Sequence, residues 1–155
     1  MSFRERWRRI LRRMIWIYPP FLFSGIRVKC LSQDPLVYRT TLKKHFWNQN
    51  AVGTHFGGSL YSMTDPFYML IMMEALGTDY IVWDQASKIE FIKAGKKPVS
   101  ALFELSSTQI EEVRKEAENG PTRPVFTVEI KDKEGIVYAR VHKTLYVRKK
   151  RREAA

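Results

Sequence analysis

The chain has 155 residues, 45% of them hydrophobic and 28% charged, and its formal net charge is +11. This length suits one compact domain rather than two. A single cysteine, Cys30, excludes an internal disulfide and a thiolate-rich metal site and is consistent with a reducing compartment. The three histidines are widely spaced and form no metal-binding motif, so we expect no metal and no other bound cofactor.

The positive charge is concentrated at the two ends of the chain. Six arginines oppose one glutamate in residues 1–18, and five basic residues oppose one glutamate in residues 148–155, which accounts for nine of the eleven net charges. Since the body is nearly neutral, no specific nucleic-acid binding is expected. The sequence divides into a basic N-terminal segment (1–19), one domain (20–148) and a basic tail (149–155).

Residues 3–18 place apolar side chains at spacings of three and four between arginines, which predicts a basic amphipathic helix ended by Pro19 and Pro20. This helix either lies on an anionic membrane surface or packs on the domain, and both interpretations stay open. Arginines throughout the segment disfavour a signal peptide, whereas an organelle transit peptide is not excluded. We expect a cytoplasmic protein, with peripheral attachment to the inner face of the membrane as an option.

The following region alternates strands with one long helix. Residues 26–31 and 36–46 predict two strands separated by a turn. Residues 57–76 predict a nearly all-apolar, buried helix that ends at Gly77, with a bend or a broken turn at Pro66.

The remaining chain is mostly strand. The pattern predicts an interrupted strand over 80–83 and 87–93, a strand over 99–105, an exposed helix over 108–119, and a hairpin of 125–131 with 136–147. This order predicts an α+β fold, in which an antiparallel sheet curls around a long central helix.

Residues 48–65 combine amides, a histidine, paired glycines and one carboxylate around the predicted start of that helix. Gly57 and Gly58 carry no side chains, and the N–H groups of a helix start suit a developing oxyanion. Asp65 lies about two helical turns further along, among apolar residues. A charged carboxylate is unfavourable in such surroundings unless it has a specific role. It either takes part in chemistry or ligand contact, or caps the segment after Pro66.

Five stretches of the sequence resemble known proteins. They are Gly-Ile-Arg-Val at 25–28, Trp-Asn-Gln-Asn at 47–50, Gly-Thr-His-Phe-Gly-Gly-Ser at 53–59, Thr-Asp-Pro at 64–66 and Lys-Thr-Leu-Tyr-Val-Arg-Lys at 143–149. Their order and spacing resemble hotdog-fold acyl-CoA thioesterases of the phenylacetic-acid-degradation type and, more closely, a bacterial hotdog family of unassigned function.

The resemblance implies hydrolysis of an acyl thioester of coenzyme A or of carrier pantetheine. Asp65 would serve as nucleophile or as general base for water, Gly57 or Gly58 would polarise the carbonyl through a backbone N–H, and Asn50 would orient substrate or water. A homodimer or a dimer of dimers is implied, since the family's sites lie between subunits. The predicted substrate contacts are His55, Phe56, Met69 for the acyl chain, and Lys93, Lys96, Lys97 and Arg123 for phosphates.

The sequence also departs from the thioesterase pattern. Phe56 stands where a histidine usually precedes the paired glycines, and His55 lies one residue earlier, where a backbone-bonded loop histidine is an equal alternative. Asp84, Ser87 and Thr78 are the candidates for the later polar residue that assists catalysis. A non-catalytic acyl- or lipid-binding hotdog protein at the membrane surface is therefore the alternative function.

Overall fold

The computed structural model describes residues 15–150, with the side chain of Trp16 left out. Most of the predicted amphipathic helix and the end of the basic tail lie outside these residues. The described chain begins with a 3₁₀ turn over Ile15–Ile17, followed by helix α1, Pro19–Ser24. Pro19 and Pro20 therefore begin a helix as well as limiting the predicted one, because proline suits the first helical positions.

Six antiparallel strands form one sheet in the order β1-β2-β4-β5-β6-β3. The strands are β1 (Ile26–Gln33), β2 (Leu36–Leu42), β3 (Tyr80–Phe91), β4 (Val99–Phe103), β5 (Val125–Lys131) and β6 (Val137–Lys149). The helices of the body are α2 (Gly57–Ser62), α3 (Phe67–Leu76) and α4 (Ser107–Asn119). This arrangement confirms the predicted α+β fold with its antiparallel sheet and central helix.

The central helix packs on the sheet through aromatic side chains. Phe67, at the start of α3, is fully buried, and its ring centroid lies 4.7 Å from that of Phe103, 5.4 Å from that of Tyr38 and 5.9 Å from that of Phe21. Removing a buried ring of this kind costs about 3–5 kcal/mol of stability. Phe67 of α3 thus packs against strands β2 and β4 and helix α1 at once.

The predicted helix over 57–76 is interrupted at residues 63–66, which separate α2 from α3. Pro66 has no N–H to donate to the preceding turn, so the helical ladder cannot pass through it. The predicted break at Pro66 is therefore confirmed. The break leaves Asp65 in the short connection between α2 and α3. The backbone N–H of Asp65 donates to the carbonyl oxygen of Ser62 at 3.2 Å.

The long strand β3 contains a bulge between Asp84 and Ala86. The sequence predicted one strand here, interrupted between residues 83 and 87, and the structure shows one strand of twelve residues with the bulge at that interruption. Because a bulge inserts one residue, it changes which face of the sheet the following side chains meet. As a result Asp84 lies opposite Leu145, and Ser87 lies opposite Lys143 of β6.

No helix within residues 15–150 is long and apolar enough to cross a membrane.

The exposed helix α4 begins with a capping box, in which the Ser106 hydroxyl accepts from Gln109 N and the Gln109 side chain accepts from Ser106 N. This reciprocal arrangement satisfies two backbone donors at the helix start.

Candidate active site

Asp65 forms an ion pair with Lys143, a buried lysine on β6 that is distant from it in the sequence. Lys143 Nζ donates to Asp65 Oδ1 at 2.7 Å, and the Lys143 side chain is 1% exposed. Alternate residues of β6 point into the core, and Val141 and Leu145, two positions to either side of Lys143, are fully buried. The strand therefore carries a lysine at a position where its pattern calls for an apolar residue.

Asp84 is a second carboxylate at the same ammonium. Its Oδ1 lies 3.3 Å from Lys143 Nζ, and its side chain is 20% exposed. Burial raises the pKa of Asp84 to about 6, a change that Lys143 opposes and the negative charge of Asp65 supports. Two carboxylates thus share one buried cation, and burial makes Asp84 harder to ionise than an ordinary aspartate.

Lys143 remains the charged partner in this group. Burial acts to lower its pKa, but the hydrogen bond to Asp65 and the charges of Asp65 and Asp84 outweigh burial, so the pKa lies above its ordinary value. The ammonium also lies 5.7 Å from the centroid of the Tyr61 ring. A cation at this distance is attracted to the face of an aromatic ring.

Asp65 also forms part of the wall of a cavity of about 400 Å³. This volume lies within the range of roughly 300–1,000 Å³ typical of small-molecule sites. The lining is mainly apolar and comes from the N-terminal segment and from both central helices: Ile15, Tyr18, Pro20, Phe21, Tyr61, Ser62, Pro66, Met69 and Leu70 accompany Asp65. Met69, a predicted substrate contact, therefore lies in the same cavity wall as the carboxylate.

The paired glycines begin α2, where backbone N–H groups have no partner within the helix. A Cβ on Gly57 would come within 3.0 Å of the Phe91 ring, and a Cβ on Gly58 would overlap the Phe56 ring. The small size of these residues therefore accommodates aromatic rings of this chain. Gly58 lines a second cavity of about 260 Å³, and Ser62 lines both cavities.

Asn50 and His55 hold the loop that precedes α2. The Asn50 side chain accepts from Val52 N and Thr54 N and donates to Thr54 Oγ1 at 2.8 Å. His55 is buried, and its Nε2 donates to the carbonyl of Lys97 at 2.7 Å. A carbonyl only accepts, so Nε2 carries a proton here. Neither residue lines the cavity at Asp65.

The predicted phosphate contacts lie outside that cavity as well. Lys93 and Lys96 are exposed in the segment after β3, and Lys97 is ion-paired with Glu134. Arg123 donates to Gln85 Oε1 at 3.1 Å and lies over the ring of Tyr146, the neighbour of inward-facing Leu145 on β6. Because successive side chains alternate, Arg123 lies on the sheet face opposite Lys143.

Of the three candidates for an assisting polar residue, the structure brings Asp84 to the ammonium. Ser87 lies across the ladder from Lys143, and its buried hydroxyl has no hydrogen-bond partner within residues 15–150. Thr78 is exposed, and its carbonyl accepts from Lys150. Within the same residues, no three His, Cys, Asp and Glu side chains form a group that could hold a metal ion.

Lys143 was not predicted as a site residue, although the sequence contained a signal for it. The alternation of Ala139, Val141, Leu145 and Val147 defines the inner face of β6, and Lys143 falls on that face. A lysine at such a position needs a carboxylate partner, because an unpaired buried charge is strongly unfavourable. Which carboxylate reaches it depends on the tertiary packing.

A family model described as "Domain of unknown function (DUF4442)" matches residues 7–147. The chain is also similar to a solved protein of unknown function from Pseudomonas aeruginosa, named a probable thioesterase: 18% identity, 97% of this chain and 99% of that chain covered, TM-score 0.75. A thioesterase from Haemophilus influenzae matches with 13% identity, coverage of 96% and 92%, and a TM-score of 0.62.

A third similar structure is a hypothetical thioesterase from Streptococcus pneumoniae, solved with coenzyme A, with 17% identity, coverage of 91% and 98%, and a TM-score of 0.59. No curated protein matches the chain. At these identities the solved structures establish a shared fold, which confirms the predicted hotdog architecture.

Proposed function

The chain belongs to the DUF4442 family of domains of unknown function, and we propose that it hydrolyses an acyl thioester of coenzyme A or of a carrier pantetheine. The observation that carries this proposal is a carboxylate in the wall of an apolar cavity. Asp65 is 47% exposed there, and Met69 and Leu70 supply apolar walls beside it. An acyl chain fits the apolar lining, and the carboxylate would then meet its reactive end.

Two routes remain open for Asp65. As a general base it takes a proton from water, whose oxygen bonds to the acyl carbon, after which the C–S bond breaks and the thiolate is protonated. As a nucleophile it bonds to that carbon itself, expels the thiolate, and is released by water in a second step. In both routes a backbone N–H of Gly57 or Gly58 would stabilise the oxyanion, and Asn50, which holds the loop before them, would orient substrate or water.

A homodimer, or a dimer of dimers, is part of the proposal. Within one protomer, Gly58 and Asp65 line two different cavities. A second copy that places its glycines at the cavity of Asp65 would complete the site. The similarity to hotdog thioesterases, whose sites lie between subunits, supports this assembly. The coenzyme A seen with the Streptococcus protein supports a ligand of this class. Lys93, Lys96, Lys97 and Arg123 are the proposed phosphate contacts, and His55 and Phe56 are further proposed substrate contacts.

The test is an acyl-coenzyme A hydrolysis assay over a series of chain lengths with the wild type, Asp65→Asn and Asp79→Asn. We expect Asp65→Asn to lose activity by about 10²-fold or more. Asp79→Asn, which alters an exposed carboxylate outside the cavity, should hydrolyse like the wild type. Light scattering would check that the variants keep the same assembly. Hydrolysis by Asp65→Asn at the wild-type rate would remove Asp65 from the mechanism.

The second candidate function is non-catalytic binding of an acyl chain or lipid at a membrane surface. It is favoured by the rings of Phe56 and Phe91 beside the glycines and by Phe56 at the position usually held by histidine. A fatty acid that copurifies, with no turnover at any chain length, would support it. Removing residues 1–14 should then reduce flotation with anionic liposomes, and equal flotation would leave that segment without a membrane role.

A further inference from the structure

We propose that Lys143 is a positioning residue for Asp65 and that Asp84 is its reserve counter-ion during the reaction. This inference rests on the proposed thioester hydrolysis and deepens it. The ammonium holds Asp65 Oδ1 at 2.7 Å, so that the orientation of the carboxylate at the cavity is set from inside the protein. Asp84 approaches the same Nζ to 3.3 Å from β3.

The position of Lys143 leaves its ammonium little freedom. Its neighbours across the sheet are Ser87 on β3 and Phe126 on β5, and the Tyr61 ring of α2 lies 5.7 Å from Nζ. Among the described residues, Asp65 and Asp84 are the charged groups within ion-pair distance of this nitrogen. The ammonium therefore lies between two carboxylates and beside the ring of Tyr61.

A structural role alone does not account for this arrangement. Asp65 is 47% exposed, so water can solvate its carboxylate without help from a buried lysine. Apolar residues at positions 84 and 143 together would continue the buried face formed by Val141 and Leu145, and replacing a complete buried ion pair in this way is often neutral or stabilising. The protein instead buries a lysine where it can reach Asp65 in the cavity wall.

The second carboxylate has a role in either chemical route. Asp65 loses its negative charge when it takes a proton from water, and it also loses that charge when it bonds to the acyl carbon. At that moment the buried ammonium of Lys143 would lack a counter-ion if Asp65 were its only partner. Asp84 supplies the charge, so the cation stays paired throughout the cycle. In the first route Asp65 is ionised again when the thiolate takes up the proton, and in the second when water cleaves the bond between Asp65 and the acyl carbon; the resting arrangement then returns.

The test compares Lys143→Met, Asp84→Asn and the matched control Lys149→Met, which alters an exposed lysine on the same strand. kcat and KM would be measured separately over pH 5–9 with an acyl-coenzyme A that the wild type hydrolyses, and folding would be checked by circular dichroism. We expect kcat to fall about 10- to 100-fold in Lys143→Met and less in Asp84→Asn, with KM changed by less than about threefold. Lys149→Met should match the wild type.

The acid limb of the pH profile separates positioning from a purely structural role. Lys143→Met should move this limb to higher pH, because the carboxylates lose their buried cation. Asp84→Asn should move it to lower pH, because Asp65 then has the ammonium to itself. Opposite shifts support the proposal, and Asp84→Asn provides the test even where Lys143→Met does not fold.

Two results would overturn the inference and can be told apart. In the first, the wild type is active and depends on Asp65, but the folded variants Lys143→Met and Asp84→Asn keep the wild-type kcat and the wild-type acid limb. This result overturns the role of Lys143 and Asp84 and leaves the proposed function standing. A wild type without hydrolysis of any thioester overturns the proposed function together with this inference.

Discussion

Lys143 Nζ lies 2.7 Å from Asp65 Oδ1, although 78 positions separate the two residues in the chain. The contact joins the middle of β6 to the short connection between α2 and α3. It therefore ties the carboxylate of the candidate site to the most buried part of the sheet. The predictions below follow from this contact, from the adjoining cavity and from the loop that precedes α2.

The first prediction concerns the pH dependence of stability. Burial raises the pKa of Asp84 from 3.8 to about 6, so the folded protein holds this proton more tightly than the unfolded chain. The stabilising contribution is full below pH 4 and is lost as the pH rises through about 6. Asparagine does not titrate, and the free energy of unfolding of Asp84→Asn relative to the wild type should therefore rise between pH 4 and pH 7.

Urea denaturation of both proteins at these two pH values measures the difference. Asp79→Asn serves as the control, since its carboxylate is exposed. A difference between Asp84→Asn and the wild type that stays constant with pH would contradict the assignment.

The second prediction separates two roles of His55. Its ring is buried and bonds to the Lys97 carbonyl at 2.7 Å, which joins the loop before α2 to the segment after β3. His55→Ala should therefore lower the free energy of unfolding by about 1–3 kcal/mol. His142→Ala, which removes a more exposed ring, should cost less. Thermal unfolding gives both values. A large loss of kcat/KM at unchanged stability would instead identify His55 as a substrate contact.

The third prediction concerns chain-length selectivity. Met69→Trp adds volume to the wall of the cavity beside Asp65. We expect kcat/KM for the longest acyl chains to fall by roughly tenfold or more while short acyl chains are little affected. Leu22→Trp is a suitable control because Leu22 is exposed on α1 and does not line this cavity. Equal losses at every chain length would show that the acyl chain lies elsewhere.

The fourth prediction compares two glycines that lie against aromatic rings. A Cβ on Gly95 would overlap the ring of Tyr138, which is buried and donates to Asp132 Oδ2 at 3.1 Å. A Cβ on Gly58 would overlap the ring of Phe56, which is 54% exposed and free to rotate outward. Gly95→Ala should therefore cost about 1–3 kcal/mol of stability and Gly58→Ala less. Similar melting temperatures for the two variants would contradict this reasoning.

Much of the fold could be predicted because it depends on local patterns. Alternating side chains indicate the strands, the long apolar run before Gly77 indicates the central helix, and Pro66 indicates its break. The bulge at Asp84 and Ala86 was harder to predict, since a bulge depends on how two strands pair. The sequence predicted only an interruption of the strand between residues 83 and 87, which is where the bulge lies. The assignment of substrate contacts to His55 and Asn50 stays a prediction, and the structure adds a loop-holding role for both.

The sequence alone determined the strands of the sheet, the apolar central helix with its break at Pro66 and the isolation of Asp65 among apolar residues, because these follow from the spacing of side chains along the chain. Only the tertiary structure decided that this lysine meets Asp65, that Asp84 shares it, and that the carboxylate opens onto a cavity formed with residues 15–21. Such contacts join distant parts of the chain, and their partners are selected by the packing of helix on sheet. Charge pairing in a core depends on position in space, which local sequence does not encode.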